Sequence, residues 1–325
     1  LVGSEMCIRD RNLGLDIGLF SRVNVSLDWY TRTTKDLLMS KQLNSISGFS
    51  SLLTNVGQMR NTGVELEVRS NNIKTKDFSW TTAFNLSHNK NKILKLADLP
   101  WFVDGRYVRK EGYPFNTIYL REYAGVDPET GSALYYDNQQ DENGNYTKNK
   151  VTDPGQASPI PLKDITPTIS GGFMNTFNYK FIDLSFNLSY SFGGYSYDNA
   201  SYILQDDGYS VISNKSTEQR RRWQKPGDIT DVPRFVYGNK KGGNYNSSRA
   251  IHSTDHIRLK SLILGLNAPK AWLQKLGIGN ARIYFSGTNL LTWAAYDQYD
   301  PEMSGVVGFY TPPLKTYAFG LELKF

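Results

Sequence analysis

The chain has 325 residues, 39% of them apolar and 21% charged, so it has the composition of a folded protein and not of a disordered one. No stretch approaches the roughly 18 consecutive apolar residues a spanning helix requires, which excludes a helical membrane protein but not a membrane β-barrel. The net charge is +6, yet Lys and Arg are scattered apart from Arg220-Arg221-Arg222, which argues against a nucleic-acid surface; the excess lies instead in 6 Trp, 21 Tyr and 16 Phe.

Residues 1–11, LVGSEMCIRDR, share no pattern with the rest of the chain. They resemble a translated sequencing-adapter segment, and we expect them to be non-native. Cys7, inside this segment, is the only cysteine, so neither a disulfide framework nor a cysteine metal site is expected.

From there alternation at period 2 dominates. Val23, Val25, Leu27 and Trp29 alternate with Asn24, Ser26, Asp28 and Tyr30. Val64, Leu66 and Val68 interleave Glu65, Glu67 and Arg69, and Phe78, Trp80, Thr82, Phe84 and Leu86 interleave Ser79, Thr81, Ala83, Asn85 and Ser87. Ile182 to Phe192 alternates throughout, and Tyr317, Phe319, Leu321, Leu323 and Phe325 end the chain on one greasy face. The pattern predicts nine strands: 13–20, 22–38, 60–71, 78–90, 168–180, 181–198, 255–267, 281–292 and 316–325. Most have at least the roughly 9–11 residues that cross a bilayer at a tilt.

The predicted connections alternate in length. Short turns fall at Ser21, 72–77, 180–181 and 268–280, and long loops at 39–59, 91–167, 199–254 and 293–315. Short on one side and long on the other is the pattern of an outer-membrane barrel, with periplasmic turns and extracellular loops. An open sheet edge is untenable in lipid, so these strands need further ones to close. A barrel of about 22 strands would need roughly twice this length or more.

Several ordered motifs then carry a resemblance. They are Asn61 to Glu67 (NTGVELE), Trp80 to Leu94 (WTTAFNLSHNKNKIL), Tyr123 to Tyr136 (YAGVDPETGSALYY), Arg222 to Asp228 (RWQKPGD), Ile257 to Leu262 (IRLKSL), Ile283 to Trp293 (IYFSGTNLLTW) and Asp300-Pro301-Glu302. In this order, with a terminal Phe325, the chain resembles the C-terminal part of a SusC/RagA-type TonB-dependent outer-membrane transporter of the Bacteroidetes group. Tyr296-Asp297-Gln298-Tyr299 departs from the pattern, since many relatives carry a glycine before the Asp-Pro-Glu.

The resemblance implies an all-β chain, the C-terminal part of a large antiparallel transmembrane barrel of about 22 strands when complete. Residues 12–325 would be that part, with the plug domain and the first half of the barrel outside this chain. It further implies import of a large nutrient, a glycan or sometimes a peptide. A SusD-like surface lipoprotein would cap the outer mouth, and TonB would act through the plug. A receptor for iron chelates or cobalamin would use the same barrel, and a soluble all-β carbohydrate-binding module is the alternative from another class.

Trp101, Tyr107, Tyr113 and Tyr119, in the first very long loop, are candidate sugar-stacking residues, although loop packing or an interface girdle uses aromatics in the same way. Asp137 to Tyr146 holds a partial Ca²⁺-loop pattern around Asp141, but Asn143-Gly144 favours a hairpin. Asp297, Asp300 and Glu302 are expected in a solvated loop. His252 and His256, four apart on one extended strand, would stand about 13 Å apart, too far for one ion, and His88 is isolated. No GxSxG, HExxH or phosphate-cradling loop occurs, so no cofactor, metal or catalytic set is expected and the chain does not read as an enzyme.

Overall fold

The computed structural model describes residues 7–43, 46, 48–49, 51–96, 99–239, 245–269, 272–273 and 277–325. Nine strands form one sheet in which every strand pairs with its sequence neighbours. They are β1 (Cys7–Leu19), β2 (Val23–Gln42), β3 (Ser51–Lys74), β4 (Phe78–Leu96), β5 (Ile169–Tyr179), β6 (Ile182–Phe192), β7 (His256–Asn267), β8 (Asn280–Ala294) and β9 (Thr316–Lys324). All eight pairings are antiparallel, giving a simple up-and-down meander.

The register places the predicted greasy positions in rows on one face. One such row reads Ile17, Val25, Val68, Phe84, Phe173, Leu188 and Leu259 across seven strands. Rings pack against one another along this face: Trp80 is 5.5 Å from Phe177, Phe177 is 6.3 Å from Phe186, and Phe285 is 5.3 Å from Phe319. Phe319 is 81% exposed and Leu321 62%, so the face is built to be covered by something other than water. A bulge at Lys260 keeps Leu259 and Leu262 on the same side although they are three residues apart.

A short polar chain interrupts this face. Trp80 Nε1 and the Thr82 hydroxyl both donate to Asn175 Oδ1, at 2.8 and 2.7 Å, and Asn72 Nδ2 donates to Thr82 Oγ1 at 2.7 Å. Linked this way, Asn175 Oδ1 is doubly satisfied, while Asn175 Nδ2 is buried without a partner among the described residues.

The other face is wet and braced across strands. Asp183 on β6 and Arg282 on β8 pair at 2.6 Å over the top of Gly265 on β7. A methyl group at Gly265 would collide with the Asp183 carboxylate, so only glycine leaves the bridge room. Tyr30 uses Gly63 in the same way to reach Asn89 Oδ1 at 3.1 Å.

All nine predicted strands are present, but some limits move. β2 and β3 run on to Gln42 and from Ser51, so most of the expected loop 39–59 is strand. Alternation fades there while the ladder continues through pairs such as Leu38↔Asn55. Residues 7–11, set apart by sequence, pair with 31–35 inside β1. The predicted strand 181–198 ends at Phe192, where Gly193 turns with φ +82° and its N–H donates to Asp255 Oδ1 at 2.6 Å. Tyr195–Asp198 then joins a separate small sheet with Ile251–Ser253 and Gly305–Val307.

Connections at one end are short (20–22, 75–77, 180–181, with 268–279 the longest). At the other end, the described residues of 99–168, 193–239, 245–255 and 295–315 form a folded mass with three small sheets of its own. Its buried groups include Ile118, Leu120, Tyr197 and Ala250 around one centre, and Ala133, Tyr135 and Ala157 around another.

Candidate substrate-binding site

A four-stranded sheet in the loop mass runs in the order 160–164, 117–120, 107–110, 101–104. Its pleat sends Trp101 and Tyr119 to one side, where their ring centroids lie 6.0 Å apart at 47°. Tyr146 arrives from the neighbouring hairpin, whose tip is Asn143-Gly144. Asp141 organises that tip by accepting from the backbone N–H groups of Asn143 and Asn145, at 2.9 and 2.8 Å. The Gln140↔Tyr146 bridge then sets Tyr146 beside the sheet. The hairpin reading therefore holds, and Asp141 Oδ1 is committed to backbone donors.

These three rings line a cleft of about 430 Å³ together with the amides of Gln139 and Gln140 and the Lys110 amine. Burial pushes the Tyr119 hydroxyl's pKa up, and Tyr146 adds to this, so the Tyr119 hydroxyl stays a neutral hydrogen-bonding group. Flat rings edged by amides and hydroxyls suit the CH face and hydroxyl rim of a pyranose.

Two of the four aromatic residues singled out in the sequence thus meet. Tyr107 instead packs on the buried centre of Ile118, Leu120 and Tyr197, with the Arg109 guanidinium 5.4 Å from its ring. Tyr113 sits in a turn under Lys110 Nζ, 5.1 Å from its ring centroid. Sequence reasoning misses Tyr146, Gln139 and Gln140, although the Asn143-Gly144 turn signal beside them could have aimed Tyr146.

The acidic loop is a correction. Asp300 is buried, not solvated: Arg258, itself 3% exposed, donates to Asp300 Oδ1 at 2.7 Å and to Glu302 Oε2 at 3.0 Å, and Lys260 binds Glu302 at 2.6 Å. Arg258 lies on the wet face of β7, so this cluster fastens the last loop over that face. The two histidines do not share one strand. His252 lies in the small sheet, its ring stacked 3.7 Å from Tyr296, while His256 begins β7 with Nδ1 2.8 Å from the Thr254 carbonyl. Burial pushes the His252 pKa down. His88 Nδ1 lies 2.9 Å from the Thr168 carbonyl.

Arg220-Arg221-Arg222 falls in and after a short 3₁₀ turn, where Arg221 pairs with Glu218 and Asp231 at 2.5 and 3.5 Å. Trp223 covers Gly131 and donates to the Pro128 carbonyl at 2.8 Å. The sequence motif around Trp223 therefore docks on the one around Asp127-Pro128.

Known proteins resemble the chain over most of its length. The chain is 34% identical over 97% of its length to TonB-dependent receptor P3 of Formosa agariphila, of which it spans 34%. It is 28% identical over 97% of its length to TonB-dependent receptor SusC of Bacteroides thetaiotaomicron, spanning 31% of that protein. It superposes on a solved structure of the RagAB peptide transporter with a TM-score of 0.88 and 31% identity, covering 98% of this chain and 35% of the other. The chain matches the SusC/RagA-type TonB-dependent receptors. Its nine strands are a stretch of their antiparallel barrel wall, and those receptors are outer-membrane β-barrel proteins. The chain spans about a third of the length of the curated relatives it matches. No protein-family model matches it.

Proposed function

We propose that the chain is the C-terminal part of the wall and outer loops of an importer that brings an oligosaccharide across the outer membrane. The apolar face of β1–β9 meets lipid and the wet face lines the lumen. The short turns are periplasmic and the loop mass is extracellular. Residues 12–325 make up this part, and residues 1–11 are non-native sequence. A SusD-like surface lipoprotein covers the outer mouth, and TonB acts through a region outside this chain.

The cleft of Trp101, Tyr119 and Tyr146 carries the saccharide reading, because aromatic rings beside neutral amides recognise sugar faces without a fixed charge pattern. Trp101 and Tyr119 would be the stacking residues, with Tyr107 and Tyr113 supporting them from the packing beneath. A peptide is the second reading, favoured by the 31% identity to a peptide transporter.

The test is uptake by cells carrying the intact transporter. Labelled oligosaccharides and labelled peptides of similar mass are compared in the parent and in the Trp101→Ala/Tyr119→Ala variant. We expect oligosaccharide uptake, with a several-fold loss in the variant. Peptide uptake with no oligosaccharide uptake would replace the first reading with the second.

A further inference from the structure

The apolar face of the sheet changes character towards the loop end of β2–β4. Above the row Trp29, Val64 and His88, the next row on that face reads Thr31, Thr62 and Lys90. The row after it reads Thr33, Arg60 and Lys92. Lys90, Arg60 and Lys92 are all exposed. No carboxylate holds an apolar-side position in these two rows among the described residues. The acid at this height, Asp10, is on the wet side and pairs with Arg32 at 2.8 Å. None of the three cations pairs with a carboxylate among the described residues; Arg60 Nε donates only to its neighbour Thr33 Oγ1, at 3.3 Å. β5–β8 stop short of this height: on the same face Ile169 and Phe192 share the His88 row, and Ile257 and Trp293 the row below it.

Three unpaired cations thus stand two to four residues beyond the greasy band. Neighbouring strands are about 4.8 Å apart, and two residues of strand rise about 7 Å. The cations therefore cover a patch roughly 5 Å wide and 7 Å tall, edged by the Thr31, Thr33 and Thr62 hydroxyls. A cation so close to hydrocarbon is stable when it meets an anionic headgroup layer. The end of the wall that carries the patch is the loop end, which faces outward.

We propose that Arg60, Lys90 and Lys92 form a binding site for a phosphate-bearing glycolipid headgroup of the outer leaflet. The argument rests on the barrel orientation proposed above. Phosphate oxygens would accept from the guanidinium and the two amines, the threonine hydroxyls would bond the adjoining sugar, and the acyl chains would run down over Trp29, Val64 and Leu86. Arg9 and Arg11 share these rows but belong to the segment set apart by sequence, and the proposal does not need them.

The test uses the intact transporter in detergent micelles doped with diphosphorylated lipid A, with retained lipid counted by native mass spectrometry. The parent is expected to retain lipid A and to lose it as salt is raised. The Arg60→Gln/Lys90→Gln/Lys92→Gln variant is expected to weaken retention by about five-fold per charge removed. Dephosphorylated lipid should not be retained by either protein. Heat-modifiable migration of the variant shows that its barrel is intact, and Lys225→Gln, in the loop mass, controls for loss of charge elsewhere. Equal retention by parent and folded variant, or equal retention of the dephosphorylated lipid, would overturn the site while leaving the transporter reading standing. An intact protein soluble without detergent would instead overturn the transporter reading.

Discussion

The sheet β1–β9 and the loop mass at its far end handle charge in opposite ways. Along the middle of the wall, ion pairs sit partly exposed on the wet face, as Asp183–Arg282 does, and the other face carries mainly Leu, Val and aromatic rings. In the loops, and where the last loop docks on β7, charge is buried outright. Asp207 is fully buried against Arg249, Asp206 is 1% exposed and pairs with Lys215 at 2.6 Å, and Arg258 and Asp300 are 3% and 8% exposed. The wall is held by a repeated backbone ladder and its surroundings. The loops are held by a few long-range ion pairs whose partners lie 42 residues apart in sequence, as for Arg249 with Asp207 and Arg258 with Asp300. A substitution that strips a buried carboxylate of its cation should therefore cost more than one on the wet face of the wall.

The largest effect is expected at Arg258. Arg258→Met leaves Asp300 buried without its cation and leaves Glu302 held by Lys260, which should cost about 3–5 kcal/mol locally. Limited proteolysis should then cut within 295–315, where the parent resists. A variant that also carries Asp300→Leu should recover part of the loss, because removing both partners leaves no buried lone charge.

On the wall, Leu188→Arg should cost roughly 2–4 kcal/mol, because Leu188 lies in the middle of the apolar face, whereas Asn187→Arg on the wet face should cost much less. Equal costs in a folding titration would erase the distinction between the two faces. Gly265→Ala should cost about 1–2 kcal/mol by driving a methyl group into the Asp183–Arg282 bridge. The loss should shrink in an Asp183→Asn background, where the bridge is already weakened.

The smallest effect is expected at His252. Burial lowers its pKa in the folded state, so the unfolded state binds the proton more readily. The stability linked to neutral His252 is present above the unfolded value, about 6.5. It is lost as pH falls below that value towards the depressed folded one. Hydrogen exchange in 195–198 and 251–253 should quicken over that window, and His252→Gln should flatten the response.

The same contrast explains what was legible in the sequence. Alternation in Ile182 to Phe192 states which side chains share a face, and a one-residue slip would turn the whole set over, so the wall can be read directly. The motifs behind the family resemblance also turn out to be partners in space. NTGVELE and WTTAFNLSHNKNKIL are adjoining strands β3 and β4, and RWQKPGD lies on VDPETG through Trp223 and Gly131. The extensions of β2 and β3 were hidden because alternation breaks at the bulges around Leu37 while the ladder continues. In the loops, nothing local tells that Asp300 will be buried by Arg258, or that Tyr107 will turn into a packed centre while Trp101 and Tyr119 line a cleft. Those outcomes depend on which distant strand arrives beside each residue.

The measurement that bears most directly on the central claim is the side-by-side accessibility of consecutive residues on β6. With Cys7 replaced, single cysteines at 183–191 in the intact protein, spin-labelled in a bilayer, report exposure to oxygen in lipid and to a water-soluble paramagnetic reagent. We expect oxygen access to peak at 184, 186, 188 and 190 and water access at 183, 185, 187, 189 and 191, strictly out of phase. Equal access to both reagents at every position, or alternation of the opposite phase, would contradict a wall with lipid on one face and a wet lumen on the other.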